Sequence, residues 1–246
     1  FVKALAKRCE VECYTMLADT KTYSVEHSLS TQMAARTIRY TWLEQIRATH
    51  NLDYIVTAHH LNDTVETILY NLAKGSGIKG NLGIPAINGR VIRPLLFATR
   101  KSIDAYYDQE QLVHREDASN AQVGYARNWI RHQVVPGLQK LNPSLELTIG
   151  RNMVYWQQIY AWFEQEAAQL KHHTWHSDAH RHTVAMQSIR NHPALHTLLF
   201  HWLQAFGFGA EQIAGINDAV LAQKQGKLFL SKTHKALLHQ GKLIIE

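Results

Sequence analysis

Apolar side chains return every three or four residues along much of the first half of the chain, which is the spacing of an amphipathic helix. Thr31–His50 shows this pattern most fully, and Ser30 directly before it is a suitable N-cap. The apolar positions of this stretch are Met33, Ala34, Ile38, Trp42 and Ile46. A shorter stretch with the same spacing, Phe1–Cys9, also predicts a helix.

Short β-rich segments precede and follow these helices. Val11–Leu17 alternates between apolar and polar residues, and Asp53–Ala58 is a compact apolar run, so both predict strands. Asn62–Lys74 then carries apolar residues on one helical face. Strands that alternate with helices at this spacing indicate right-handed crossovers and a parallel sheet. We therefore predict an α/β domain with a mostly parallel sheet, to which Arg90–Leu96 adds an edge strand because Pro94 interrupts it.

The remaining pattern is predominantly helical. Thr99 caps a helix predicted to end near Gln111, and Ser144 caps a long helix that ends near Lys171. The other predicted elements are a helix over Tyr125–Leu141, a polar histidine-rich connection over His172–His182, helices up to Phe206 and over Ala210–Gln223, and short strands at Leu228–Leu230 and Leu243–Ile245. We place a domain boundary at Asn142–Ser144, so that residues 1–143 form the α/β domain and residues 144–246 a smaller, mostly helical domain.

Composition narrows the class of protein. The 246 residues include 26 Lys+Arg against 20 Asp+Glu, a formal net charge of +6. A basic surface suits an anionic polymer such as a nucleic acid, although solubility alone also accounts for it. No apolar run approaches the roughly 18 residues that cross a bilayer, which excludes a membrane span. The two cysteines, Cys9 and Cys13, fit neither a zinc nor a redox motif, so we expect a cytoplasmic chain without a resident metal.

The segment Ala58–Thr67, with the sequence AHHLNDTVET, concentrates residues that can do chemistry. It lies where a predicted strand ends and a helix begins, which is where open α/β sheets bind ligands. Asp63 and Glu66 share one face of the first helical turn. Two carboxylates there can hold Mg²⁺, an ammonium group or a proton in transit, or can simply complement the helix dipole. The adjacent His59 and His60 favour a functional role.

Other candidates are ambiguous by themselves. Gly75-Ser76-Gly77 followed by Gly80 suits a phosphate cradle, and equally a flexible loop after a helix. Arginines suited to phosphate, pyrophosphate or carboxylate, or to solvated helix faces, are Arg36, Arg39, Arg93, Arg127 and Arg131. A stretch that we interpret as a solvated basic loop rather than a metal site holds His172, His173, His176, His180 and His182.

Ala58–Thr67 resembles the A-H-H-x-x-D-x-x-E-T motif of the tRNA(Ile)-lysidine synthetases, a family of the PP-loop ATP pyrophosphatase superfamily. Further matches occur in the family's order: Ala34-Ala35-Arg36 with Arg39-Tyr40, Gly75-Ser76-Gly77 with Gly80, Arg93-Pro94-Leu95-Leu96, Glu116-Asp117 with Ser119-Asn120, and Arg127-Asn128 with Ile130-Arg131 and Pro136. The resemblance is strong over Val11–Pro143 and weaker from there to Glu246. The superfamily's Ser-Gly-Gly-x-Asp-Ser loop does not occur in residues 1–246. In the family it precedes the stretch that begins here at Phe1, so we expect the catalytic domain to lack its N-terminal part.

This resemblance implies modification of the wobble cytidine of tRNA(Ile) with a CAU anticodon. In the family, ATP with Mg²⁺ activates the C2 oxygen of the cytosine as an adenylate and releases pyrophosphate. The ε-amine of free L-lysine then displaces AMP and leaves lysidine. The resemblance further implies a PP-loop nucleotide-binding fold, a smaller tRNA-contacting domain and a cytoplasmic enzyme with no membrane partner. Whether the protein is a homodimer stays open.

The resemblance also implies roles for individual residues. Asp63 and Glu66 match the acidic pair that would hold the lysine ammonium and take its proton. The other implied roles are substrate binding by Arg36 and Arg39, ATP binding by His59, His60, Gly75, Ser76 and Gly77, and tRNA binding by Arg93, Arg127 and Arg131. Two alternatives remain: a PP-loop tRNA thiolase, which needs cysteines that can carry sulfur or an iron–sulfur cluster, and a non-catalytic tRNA-binding fragment.

Overall fold

The computed structural model describes residues 1–115, 126–178 and 181–246. These residues form two compact units, Phe1–Gln157 and Gln158–Glu246, which we call the N-terminal and C-terminal units. Three features of the sequence lie outside the described residues, namely the Glu116–Asn120 motif, the predicted helix start at Tyr125, and His180. Within the described part of the chain, no helix is both long enough and apolar enough to cross a membrane.

Most helices of the N-terminal unit begin and end near the predicted residues. They are α1 Val2–Arg8, α2 Thr20–Glu26, α3 Thr31–Thr49, α4 Leu61–Lys74, α5 Gly77–Gly80 and α6 Arg100–Gln109, of which α2 and α5 were not predicted. The hydroxyl of Ser30 accepts a hydrogen bond from the Met33 N–H at 3.3 Å, which confirms the predicted N-cap of α3. α4 buries Val65 and Ile68 and ends at Gly75 in the left-handed conformation, with φ 71°.

A widened turn interrupts the next helical stretch. α7 (Ala126–Trp129) continues into a π-helical turn over Ile130–Val134 and then into α8 (Val135–Leu141). Pro136 accounts for the widening, since its ring nitrogen cannot donate the hydrogen bond of a regular α-helix. The turn changes which side chains face α4, and Ile130 and Val135 pack with Val65 in the buried cluster of this unit.

The predicted long helix is confirmed as α9, Leu145–Thr174. The domain boundary predicted from the sequence lies just before it. The two compact units divide within α9, between Gln157 and Gln158.

A small three-stranded sheet confirms the α/β class of the N-terminal unit. Its strands are β1 (Ile55–Val56), β2 (Ile87–Asn88) and β3 (Val91–Ile92), in the order β1-β3-β2. β1 pairs with β3 in parallel, with Ile55 opposite Val91, and β2 pairs with β3 antiparallel. The segment predicted as an edge strand therefore supplies the central strand. It can do so because Pro94 lies beyond the residues that pair, where it removes no ladder hydrogen bond.

The strand predicted over Val11–Leu17 is wrong. This segment belongs to no helix or strand, and Leu17 is fully exposed, while Val11 is 60% and Met16 43% exposed. A strand needs a hydrogen-bonded neighbour, and within the described residues no strand pairs with this one. Alternation of apolar and polar residues therefore identified a segment with strand propensity, but pairing decides whether a strand forms.

The C-terminal unit packs helices against a five-stranded antiparallel sheet. The strands are β4 Trp175–Ser177, β5 His182–Ala185, β6 Lys227–Leu230, β7 Lys235–His239 and β8 Lys242–Ile245, in the order β4-β5-β8-β7-β6. The helices that follow α9 are α10 Met186–Ile189, α11 Leu195–Leu203 and α12 Ala210–Leu221. Leu199, Leu203, Ile216, Leu243 and Ile245 are fully buried at the centre of the core between the helices and the sheet.

Only two of these five strands, β6 and β8, were predicted. The polar connection expected over His172–His182 is wrong, because it holds the end of α9, β4 and the start of β5. β4 is only three residues long, and β7 contains Lys235 and Ala236, whose residue types are depleted in strands, so the local pattern gives little strand signal for either. Pairing decides instead: β4 pairs with β5, and β7 pairs with both β6 and β8.

Candidate active site

The site lies at the carboxyl end of β1, where the chain turns through His59 and His60 into α4. Asp63 is the third residue of that helix, and its Oδ2 accepts a hydrogen bond from the His60 backbone N–H at 2.9 Å. The helix-capping role that the position suggested is therefore real for one carboxylate oxygen. The other oxygen, Oδ1, lies near an arginine that also binds Glu66, the second carboxylate of the pair.

That arginine is Arg131, from the π-helical turn. Its Nε donates to Glu66 Oε1 at 2.6 Å and one terminal nitrogen donates to Glu66 Oε2 at 3.0 Å, a two-pronged ion pair. The same terminal nitrogen lies 3.5 Å from Asp63 Oδ1. The hydrogen bond with Glu66 raises the pKa of Arg131, and burial opposes it only in part. Arg131 is thus a fixed cation between the two carboxylates.

The two carboxylates differ in exposure. The Glu66 side chain is 7% exposed, whereas that of Asp63 is 24% exposed. A carboxylate has about four acceptor positions, and both Glu66 oxygens already bind Arg131. Asp63 is therefore the carboxylate that an incoming ligand can reach, and Glu66 is the one that neutralises Arg131.

Glu66 and Arg131 line a cleft of about 300 Å³, which we call the acidic cleft, and Asp63 lies beside Arg131 but is not among the described lining residues. Its lining residues are His60, Asn62, Val65, Glu66, Arg100, Arg131, Val135 and Gln139. Buried Glu146 supports one wall, since its Oε1 accepts hydrogen bonds from Asn62 at 2.9 Å and from Gln139 at 2.6 Å. Asn62 also accepts from the Arg100 backbone N–H at 2.8 Å, so its amide ties α4 to the start of α6.

Sequence reasoning missed Asn62, Gln139 and Glu146. Asn62 lies inside the AHHLNDTVET segment, which was a signal that could have found it. Gln139 and Glu146 carry no such signal, because they reach the cleft only through the fold of α8 and α9. Arg131 was predicted from the sequence, but as a tRNA contact rather than as the partner of Glu66.

His59 and His60 differ in their surroundings. The Thr57 hydroxyl lies 2.9 Å from Nδ1 of His59. Burial lowers the pKa of His59, Asp63 raises it, and the positive charges of Arg93, Arg36 and Arg127 lower it further. Nδ1 of His60 is buried and has no hydrogen-bond partner among the described residues, while its Nε2 lies 3.6 Å from Asp63 Oδ2.

A second cleft, of about 420 Å³, brings together two of the predicted arginines. We call it the arginine cleft, and its lining residues are Met33, Arg36, Thr37, Tyr40, Asn88, Val91 and Arg93. Arg93 is only 6% exposed, and one terminal nitrogen donates to the Pro85 carbonyl at 2.7 Å. The Arg36 guanidinium lies 4.9 Å from the centre of the Tyr40 ring. Arg39, on the same helix as Arg36, is exposed and is not among the described lining residues.

The glycine segment is not brought to the acidic cleft. Gly75, Ser76 and Gly77 follow the last residue of α4, whereas His60 precedes its first. A helix of this length separates its ends by about 20 Å. The carboxyl end of a helix also carries partial negative charge, which disfavours phosphate. The geometry therefore argues against one ATP site that contains both the histidines and these glycines.

Two remaining predictions concern a tRNA contact and metal ligation. Arg127 lies exposed on α7, and its charge acts on His59. Within the described residues, no cluster of three or more His, Cys, Asp or Glu side chains is suited to a metal ion. The two cysteines are free thiols, with Cys9 exposed and Cys13 half-buried.

An α/β domain with paired carboxylates at the carboxyl end of a parallel strand belongs to the broad class of ligand-binding α/β proteins. The family model described as the PP-loop domain matches residues 1–138, and the model described as the TilS substrate binding domain matches residues 177–246. The chain therefore belongs to the PP-loop family.

More particularly, the chain is similar to proteins named tRNA(Ile)-lysidine synthase. It is 34% identical over 246 residues to the one from Porphyromonas gingivalis strain W83, covering 100% of this chain and 53% of the relative. It is 34% identical over 237 residues to the one from Parabacteroides distasonis, covering 96% and 53%. It is 31% identical over 246 residues to the one from Bacteroides thetaiotaomicron, covering 100% and 57%. The chain spans about half the length of the curated relatives it matches.

Proposed function

We propose that this chain carries catalytic machinery for the ATP-dependent ligation of L-lysine to C2 of the wobble cytidine of tRNA(Ile), through an adenylated tRNA intermediate. Membership of the PP-loop family and the name shared by the relatives support this proposal. The observation that carries it is the pair of carboxylates after β1: Glu66 lines the acidic cleft, and Asp63 lies one helical turn before it on α4. Paired carboxylates suit an alkylammonium substrate.

Asp63 binds the substrate amine in this proposal. Its Oδ2 is held by the His60 N–H, which fixes the rotamer, and its Oδ1 lies 3.5 Å from Arg131, a residue that lines the acidic cleft. Lysine arrives as an ammonium ion, but only the neutral amine is a nucleophile. Oδ1 of Asp63 first holds the ammonium and then accepts its proton as the amine attacks the activated carbon.

Glu66 and Arg131 set the charge of the site. The pair neutralises the buried Glu66 carboxylate, so that Asp63 alone provides net negative charge to an incoming ammonium. Without Arg131, the two carboxylates one turn apart would repel each other with no cation between them. We assign Glu66 to positioning, and Asp63 to contact with the substrate.

ATP supplies the activation of the C2 oxygen as an adenylate. The buried and unpartnered Nδ1 of His60 beside the acidic cleft fits a polar group of a bound nucleotide. Mg²⁺ fits the described residues less well, because both oxygens of Glu66 are already bound by Arg131. We therefore derive no step through a metal ion from Asp63 and Glu66.

tRNA(Ile) with a CAU anticodon is the polymer substrate in this proposal. The net charge of +6 favours a polyanion, and residues 177–246 match a substrate-binding domain. Exposed Arg127 remains a candidate phosphate contact, whereas the deep burial of Arg93 and the ion pair of Arg131 disfavour a backbone contact for both. A cytoplasmic location and a homodimer remain proposals from the sequence.

The test is ATP-dependent incorporation of labelled lysine into tRNA(Ile) by this chain and its variants. Asp63→Asn removes the proton acceptor, so we expect incorporation to fall by at least 10²-fold, while tRNA binding stays within about twofold. Asp108→Asn, an exposed acid on α6, is the matched control and should keep incorporation. Loss of tRNA affinity in Asp63→Asn with lysine use intact would contradict the assignment. Steeply salt-dependent tRNA binding by the parent chain without any incorporation would favour the tRNA-binding fragment.

A further inference from the structure

Arg93 is a buried cation without a counterion. Only 6% of the residue is exposed, yet no carboxylate lies within ion-pair distance of it among the described residues. Its Nε is buried and has no hydrogen-bond partner there either. A buried charge is costly unless it is paired, and arginines this deep in a protein normally have an acidic partner. Arg131 illustrates the usual solution, since Glu66 binds it on two sides.

The cleft beside Arg93 is built for a negative group. Arg36 provides a second guanidinium, which stacks over Tyr40 and is thereby held near the opening. Thr37 and Asn88 add neutral donors, and none of the described lining residues carries a carboxylate. Guanidinium groups bind carboxylate and phosphate oxygens in pairs, which suits two arginines that converge on one cleft.

We propose that Arg36 and Arg93 form an oxyanion-binding subsite, whose occupant is the missing counterion of Arg93. The ligand is a carboxylate or a phosphate group carried by a small molecule. This inference relies on the proposed function only for the identity of that molecule, which is the α-carboxylate of lysine or the phosphate chain of ATP. The charges of Arg36 and Arg93 both act on His59, so the His59 ring can report on an anion bound at this subsite.

Calorimetric titration of the full 246-residue chain separates the two sources. The probes are pyrophosphate, L-lysine and cadaverine, the diamine that lacks the lysine carboxylate. Arg36→Gln removes one charge from an exposed position. Arg93→Lys keeps the charge but loses the planar guanidinium that can bind two oxygens at once. Arg90→Gln is the matched control, because it removes the same charge from an exposed position in the turn between β2 and β3, outside the described lining of the cleft.

We expect Arg36→Gln and Arg93→Lys to weaken the binding of one anion by about tenfold, and Arg90→Gln to change it by less than twofold. Weaker pyrophosphate binding identifies a phosphate, whereas weaker lysine binding with unchanged cadaverine binding identifies the carboxylate. The inference is overturned if both variants bind every probe as tightly as the parent chain, or if the parent chain binds none. If Arg93→Lys does not fold, the exposed Arg36→Gln still decides.

His59 provides a second readout that a merely structural role of the arginines would not produce. The groups that act on it are Arg93, Arg36 and Arg127, which lower its pKa, and Asp63, which raises it. An anion bound between Arg36 and Arg93 offsets their field, so the pKa of His59 should rise when the probe binds. NMR titration of His59 with and without pyrophosphate or lysine measures this. Anion loss in the variants together with no lysine incorporation by the parent chain would uphold the subsite and reject the proposed function.

Discussion

The two units of this chain place their polar groups very differently. Among the described residues, the N-terminal unit buries Thr64, Glu66, Arg93 and Glu146, whereas the C-terminal unit buries only one polar side chain, Thr174. The main apolar cluster of the C-terminal unit is far larger than the Val65 cluster of the other unit. Since buried polar groups cost free energy unless they are paired, the N-terminal unit gives up packing to hold its site. The C-terminal unit, with one buried polar side chain among its described residues, does not give up packing in this way.

The largest expected effect tests the core of the C-terminal unit. Leu203 is fully buried, so Leu203→Ala leaves a cavity and should lower the free energy of unfolding by about 3 kcal/mol. Leu221→Ala is the control, because that side chain is 56% exposed. Urea unfolding followed by circular dichroism measures both. An effect of Leu203→Ala as small as that of the control would show that this core is loosely packed.

A smaller effect tests the polar interior of the N-terminal unit. Arg131→Gln leaves the carboxylate of Glu66 buried without its cation, and should cost about 1–2 kcal/mol, because the Arg131 side chain is 37% exposed and water screens part of the loss. Arg100→Gln, which breaks an exposed pair with Asp104, should cost about 0.3 kcal/mol.

The Glu66→Gln/Arg131→Gln double variant completes a mutant cycle. Each single variant already breaks the ion pair. The double variant should therefore lose less free energy of unfolding than the sum of the two single variants. Additive losses in the same urea-unfolding experiment would mean that Glu66 and Arg131 act independently, and would remove the basis for assigning Glu66 to positioning.

The same contrast explains how far the sequence predicts this structure. Helices such as α3 and α4 follow from apolar spacing, and Asp63 and Glu66 follow from their place at a strand-to-helix junction. The pair between Glu66 and Arg131 does not follow, because 65 residues separate the partners and a π-helical turn sets the direction of Arg131. The strands β4, β5 and β7 do not follow either, because they are short and pairing with other strands decides whether they form. Local periodicity thus predicts elements, whereas ion pairs and sheet partners depend on the fold.

The smallest expected effect is the pH dependence that His59 gives to the free energy of unfolding of the N-terminal unit. Burial and the three arginines lower the pKa of His59 below its ordinary 6.5, so the unfolded chain binds a proton more readily than the folded chain. The free energy of unfolding should therefore fall as the pH drops below about 6.5, and the contribution is fully present above it. His59→Gln removes this contribution. The free energy of unfolding should then change less between pH 5.5 and pH 7.5, and the reduction should be smaller than the change that about one bound proton would produce. His239→Gln, at an exposed histidine of the C-terminal unit, controls for loss of one imidazole. An equal flattening in both variants would mean that the folded surroundings of His59 do not lower its pKa.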